Sequence, residues 1–186
     1  LANKEQRGYI TPQEFNLFAN QAQMDIFEQY FYDLNQFKRI PGNQSDYADV
    51  VSNIQDKIDI FIAKEDLVFD EVGSSIELPE DFYRVSIVNA DGATAEHVSR
   101  EQQNLYNSPL TAPTKSRPIF YLWKNTIRVR PTASKGSLSY IRKPKTPNWT
   151  YLMIADKAMW NPDVDAGMQH FELHPSEEQN LVIKIL

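Results

Sequence analysis

The one spacing in this chain that could gather metal ligands is His170-x-x-x-His174, with Glu172 and Glu177 close by. An i, i+4 pair shares a face on a helix or a strand, so two imidazoles and a carboxylate could converge on a cation such as zinc. Pro175 argues against it, because proline pushes the residue before it out of the helical region, and no third ligand stands out. The competing reading for His174 is a capping or surface role, and isolated His97 reads as a solvent or interface residue. Nucleophilic chemistry finds less support still. There is no cysteine and no Gly-x-Ser-x-Gly elbow, and nothing ties any of the three histidines to a serine. Six glycines form neither a phosphate-binding loop nor a dinucleotide fingerprint. Carboxylate pairs such as Asp56 with Asp59 and Glu65 with Asp66 fall on polar helical faces, where solvation explains them. The residues predict no enzyme, no cofactor, no catalytic residue and no metal.

What the chain does concentrate is positive charge. The segment KSRPIFYLWKNTIRVRPTASKGSLSYIRKPK, residues 115–145, holds nine Lys/Arg and no acid, whereas residues 1–114 hold eight against 19 and residues 146–186 two against six. Phe120, Tyr121, Trp123 and Tyr140 lie among those cations, a mixture that can neutralise phosphates and stack bases. The acidic remainder speaks against a free nucleic-acid footprint and for docking of protein on protein, since segregated charge favours complementary partners. Folding of the basic block onto acidic helices of the same chain is the competing explanation.

The elements that would display these residues follow from local signals. Thr11-Pro12-Gln13-Glu14 combines a capping box with proline at the first helical position. Phe15, Phe18, Ala19, Ala22, Ile26, Tyr30 and Leu34 then form a stripe, widened by Phe27 and Phe31, up to Arg39 and the breaker Pro41-Gly42-Asn43. A second helix is predicted from Ser45 or Asp46 to Lys64, with Val50, Val51, Ile54, Ile58, Phe61 and Ile62 at helical spacing. Period-two strands follow at 67–69, 75–78 and 84–88, then a short helix over 96–106. Pro118–Trp123, the turn Lys124-Asn125 and Thr126–Arg130 predict a hairpin whose first strand is apolar on both faces. Its second strand points Ile127 and Val129 one way and Arg128 and Arg130 the other. Ser137–Arg142 is a further strand, 171–173 a short one, and Pro175-Ser176-Glu177-Glu178 opens a last helix with Leu181, Val182, Ile185 and Leu186.

A length of 186 residues suits one domain. No apolar run of the roughly 20 residues that span a bilayer is present, and the first residues lack an apolar leader core, so a soluble, non-exported protein is expected.

Across NKEQRGYITPQEFNLFANQAQMDIFEQYFYDLNQF, IELPEDFYRV, APTKSRPIFYLWKNTIRVRP with SYIRKPKTPNW, and FELHPSEEQNLVIKIL, the chain resembles virion proteins of crAss-like and other Bacteroidetes-infecting tailed phages. More broadly it is similar to their ring-forming head-tail connector, or adaptor, proteins. The resemblance implies a helical bundle with a β-rich insertion and a ring, typically twelve-fold, around the DNA channel below the portal. It implies virion localisation after assembly in the host cytoplasm.

The expectation is therefore an α+β chain. Residues 1–66 and 174–186 form the helical part of a single domain, and an antiparallel β-rich insertion covers about 67–173. Expected partners are further copies of itself, the portal and other ring or tail proteins, with DNA passing without specific binding and no membrane. The candidate interface is Lys124, Arg128, Arg130, Arg142 and Lys143. The alternative is a nucleic-acid-binding module using the basic sheet at 115–145.

Overall fold

Thr11 and Glu14 close the capping box in both directions. Glu14 Oε2 accepts from Thr11 N–H at 2.8 Å, and Thr11 Oγ1 accepts from Glu14 N–H at 3.3 Å. The bond from the Thr11 backbone, with a second from the Thr11 hydroxyl to Glu14 Oε2 at 3.0 Å, holds the exposed Glu14 carboxyl below its ordinary range. The computed structural model describes residues 10–39, 45–69, 75–155, 157–161 and 167–185, with side chains of 45–48 excepted.

The first helix, α1, spans Pro12–Arg39. Its buried side is formed by Ala19, Ala22, Gln23, Ile26, Phe27, Tyr30 and Phe31, so the expected stripe holds at its centre. Phe18, at one end of that stripe, is instead 45% exposed, and the sequence reading had no place for a buried glutamine. Helix α2, Ser45–Asp59, buries Ile54 and Ile58, and α1 packs against both α2 and the last helix.

The helix expected to reach Lys64 stops at Asp59. Ile62–Val68 is strand β1, paired antiparallel with β8 from Ile62 opposite Ile141 to Val68 opposite Lys135. The Ile60-Phe61-Ile62 run, β-branched on either side of an aromatic, satisfies a helical period and a strand equally well, and ladder pairing decides it. Two compact units result, 1–60 with 144–186 and 61–143, so the strand-rich insertion starts and ends before the expected 67 and 173.

The unit 61–143 contains β2 (Ser75–Glu77), β3 (Phe82–Ala90), β4 (Ala93–Thr94), β5 (Glu96–His97), β6 (Ile119–Trp123), β7 (Thr126–Arg130) and β8 (Lys135–Arg142). They form two four-stranded sheets, β1-β8-β3-β4 and β2-β7-β6-β5. The second departs from the antiparallel expectation at one place, where β5 runs parallel to β6. Leu67, Val88, Leu138 and Tyr140 from the first sheet and Phe120, Ile127 and Val129 from the second share one apolar cluster. The helix expected over 96–106 is β5 followed by a 3₁₀ turn, Gln102–Asn107.

Gly136 permits the closest approach in this unit, because a Cβ there would meet the Asn89 carbonyl oxygen at 2.3 Å and the Phe69 ring at 2.7 Å. Gly136→Ala forces the backbone of β3 or the ring of Phe69 to move. It is expected to destabilise the fold by about 2 kcal/mol, as overpacking does, read as a fall in the urea midpoint at unchanged slope.

The unit 1–60 with 144–186 adds to α1 and α2 a hairpin of β9 (Tyr151–Ile154) and β10 (Lys157–Trp160), a 3₁₀ turn (Pro175–Glu177) and α3 (Glu178–Ile185). The strand expected at 171–173 is absent. That segment is held from the side instead, through Gln23 at Glu172 and through the bridge between Asn148 and Gln169. Among the described residues, no helix is long and apolar enough to cross a membrane. The chain is α+β, as expected.

Candidate functional site

Strands β6 and β7 run antiparallel with Ile119 opposite Arg130, Tyr121 opposite Arg128 and Trp123 opposite Thr126. Directly opposed residues share a face, so Ile119, Tyr121 and Trp123 stand with Arg128 and Arg130, while Phe120 joins Ile127 and Val129 in the core. The predicted alternation is present: Ile127 and Val129 are buried, Arg128 is exposed and Arg130 half-buried. Lys124, at positive φ, sits exposed in the two-residue turn.

The cationic face is covered at one end and open at the other. At the covered end Arg130 Nη1 donates to Asn107 Oδ1 at 3.2 Å, tying the strand to the 3₁₀ turn, and Leu105, Tyr106, Arg117 and Ile119 line a hollow of about 480 Å³. At the open end Trp123 is half-buried. The Arg100 guanidinium lies 4.1 Å from the centre of its ring and that of Arg128 5.7 Å away. A cation over a partly exposed indole is worth about 0.5–1 kcal/mol, which biases both guanidiniums toward this position and so lowers part of the ordering cost of docking.

The five expected interface residues divide. Lys124 and Arg128 belong to this open patch, and Arg130 shares its face but is engaged with Asn107. Arg142 and Lys143 lie at the end of β8 in the other sheet. There Arg142 stands opposite Phe82, Lys143 N–H donates to the Asp81 carbonyl at 2.7 Å, and the Tyr140 hydroxyl donates to the Asp81 carboxylate at 3.1 Å. Arg100 was missed because it lies outside the acid-free block. Its signal was only its position in the loop that returns over the sheet.

Within the unit 61–143, Arg117, Lys124, Arg128, Arg130, Lys135 and Lys143 form no ion pair with a described carboxylate, whereas Asp91 is held below its ordinary range by backbone bonds from Lys135 and Ser134 and by the charge of Lys115. On the helices of the other unit, Glu28, Asp33, Asp49, Asp56 and Asp59 form no ion pair with a described cation of that unit.

A second polar constellation lies between α1, α2 and α3. The buried Glu177 carboxylate accepts from Lys57 Nζ and, at 2.7 Å, from Asn180 Nδ2. Lys57 Nζ lies 5.7 Å from the centre of the Tyr30 ring. Burial and the Glu177 charge push the Tyr30 phenol well above its ordinary pKa, and its hydroxyl has no hydrogen-bond partner among the described residues. The groove holds about 340 Å³. The sequence signal for it was Lys57, the one cation in an otherwise acidic helix.

The histidine pair does not converge on a third ligand. His174 Nδ1 accepts from Ser176 N–H at 3.2 Å and caps the 3₁₀ turn, while His170 is exposed. Among the described residues no group of three His, Asp or Glu side chains could hold a metal ion.

A third surface is apolar. In the hairpin β9–β10, Leu152, Met153, Ile154, Met159 and Trp160 are each more than half exposed, although a two-stranded hairpin is marginal in water by itself. No protein-family model matches this chain, and no curated protein matches it.

Proposed function

We propose that this chain is a structural subunit of a tailed-phage virion, one copy in a head-tail connector ring that joins portal to tail and surrounds the DNA channel. The observation that carries the reading is the open cationic patch of Arg100, Lys124 and Arg128 around Trp123, whose charges find no carboxylate among the described residues of their own unit. Unpaired acids on α1 and α2 are its complement, and a cyclic assembly needs two different surfaces that fit each other. The exposed apolar hairpin supports the same class of function, because contiguous apolar surface marks protein contacts. In this reading the ring has about twelve copies, contacts the portal and further ring or tail proteins, and passes DNA without reading its sequence. Its role is mechanical and electrostatic, with no reaction of its own.

The test is Arg100→Glu with Arg128→Glu, fold checked by circular dichroism, in native mass spectrometry and in particle images with the phage's portal. Loss of two close charge pairs should weaken association by about a hundredfold or more. Unchanged ring or portal association overturns the proposal.

One observation favours a second reading, a nucleic-acid-binding module: two guanidiniums on a half-exposed tryptophan also suit stacked bases and phosphates. In that case gel shifts with single-stranded and duplex DNA weaken steeply with salt, and the same variant abolishes them while leaving assembly intact.

A further inference from the structure

The groove between α1, α2 and α3 has an excess of hydrogen-bond acceptors. Its Glu177 carboxylate is already occupied by Lys57 and Asn180, and Lys184 lies 3.6 Å from Asp25. Asp33, in contrast, has no ion pair, and the side-chain oxygens of Gln29 and Asn180 receive no hydrogen from a described residue. Tyr30, only 4% exposed, lines the same groove with its hydroxyl unpartnered.

The β6–β7 turn has the opposite imbalance. Lys124, Arg128 and Arg100 carry N–H donors, and none of the three meets a described acceptor through its charged group. Lysine brings three such donors and arginine five. The shapes are complementary as well, because a two-residue turn between strands is convex and the groove is concave.

We propose that the β6–β7 turn of one copy docks in the α1–α2–α3 groove of a second copy, with Lys124 and Arg128 meeting Asp33 and the free oxygens beside it. This rests on the assembly reading and names the receiving surface within it. Donor turn and acceptor groove are different parts of the chain, so the contact is heterologous and propagates from copy to copy, as a ring requires.

The chain has no cysteine of its own, which makes engineered cysteine pairs unambiguous. Chains carrying Lys124→Cys are mixed with chains carrying Asp33→Cys, and disulfide-linked dimers are followed over time. The control partner carries Asp56→Cys, an exposed position on α2. The expected result is linkage about tenfold faster with Asp33→Cys than with Asp56→Cys, a ratio set by proximity, since Arg128 and the remaining groove contacts still seat the turn and bring the two thiols together. A charge swap provides the independent arm: Lys124→Glu and Asp33→Lys each weaken self-association, and mixing the two variants restores heterodimers. Wild-type chains that assemble while the 124/33 pair links no faster than the control overturn the docking and leave the assembly reading standing. Wild-type chains that remain monomeric at every concentration, together with a 124/33 pair that does not link, overturn the docking and count against the ring.

Discussion

Gln23→Leu is expected to cost about 3 kcal/mol of stability, although it replaces a polar side chain by an apolar one of similar length inside the protein. Gln23 is fully buried in the middle of α1. Its Nε2 donates to the Lys145 carbonyl at 2.8 Å and its Oε1 accepts from Glu172 N–H at 2.9 Å. The Glu172 carboxylate in turn accepts from Lys145 N–H at 2.9 Å. One amide therefore supplies the missing partners of two chain segments that are not paired as a sheet. Two turns earlier on the same helix, Asn16 does the equivalent for Trp149, accepting from its N–H at 2.8 Å and donating to its carbonyl at 3.2 Å. Leucine fills the volume but leaves a backbone donor and a backbone acceptor without partners, each costing about 1–3 kcal/mol when water cannot reach it. Urea unfolding followed by tryptophan fluorescence reads the loss. A change below about 1 kcal/mol would mean that water replaces the amide and that the segment 145–172 is held by other contacts.

Gln23 also marks where the sequence stops being legible. The α1 start, the Lys124-Asn125 turn and the split of Ile127 and Val129 from Arg128 and Arg130 were all readable, because each depends on residues a few positions apart. The end of α2 was not. Phe61 and Ile62 fit the helical period as well as any residue before them, and the ladder from Ile62 opposite Ile141 to Val68 opposite Lys135, far along the chain, overrides it. The same kind of long-range pairing turns Glu96 and His97 into an edge strand beside β6 where a helix was expected. A buried glutamine in an apolar stripe gives no local sign of which carbonyl it will meet.

The candidate interface was legible in the same partial way. Alternation in β7 placed Arg128 and Arg130 on one face, but it could not show that Arg130 is engaged with Asn107, nor that Arg100 joins Arg128 beside Trp123. Nor could composition join Arg142 and Lys143 to the correct sheet, since strand order puts β8 between β1 and β3 and away from β7. The acid-free block is therefore one run of sequence but two surfaces. Only the part around Trp123 has the open cations that the assembly reading uses.

Glu177→Gln is expected to lower stability at neutral pH by about 2–3 kcal/mol, and the size of that loss should depend on pH. Burial raises the Glu177 pKa, but the bonds from Lys57 and Asn180, with the charges of Lys57 and His174, outweigh it and hold the carboxyl below its ordinary range. A depressed folded-state pKa means that the contribution is complete above the unfolded pKa of about 4.3 and disappears as pH falls through the folded value. The difference between wild type and Glu177→Gln should thus be flat from neutral pH down to about pH 5 and shrink at more acid values. Removing one partner of a buried pair leaves the other uncompensated, which costs about 3–5 kcal/mol in a closed site. A quarter of the Lys57 side chain is open to water, so its ammonium recovers part of its hydration and the loss falls at or below the lower end. Lys57→Met on the same scale should cost more than Glu177→Gln, because it leaves the charge on the partner that is 93% buried. A wild-type to Glu177→Gln difference that stays constant into acid would assign the loss to packing and Asn180 geometry, and the ion pair would then hold the three helices together no better than a neutral hydrogen bond.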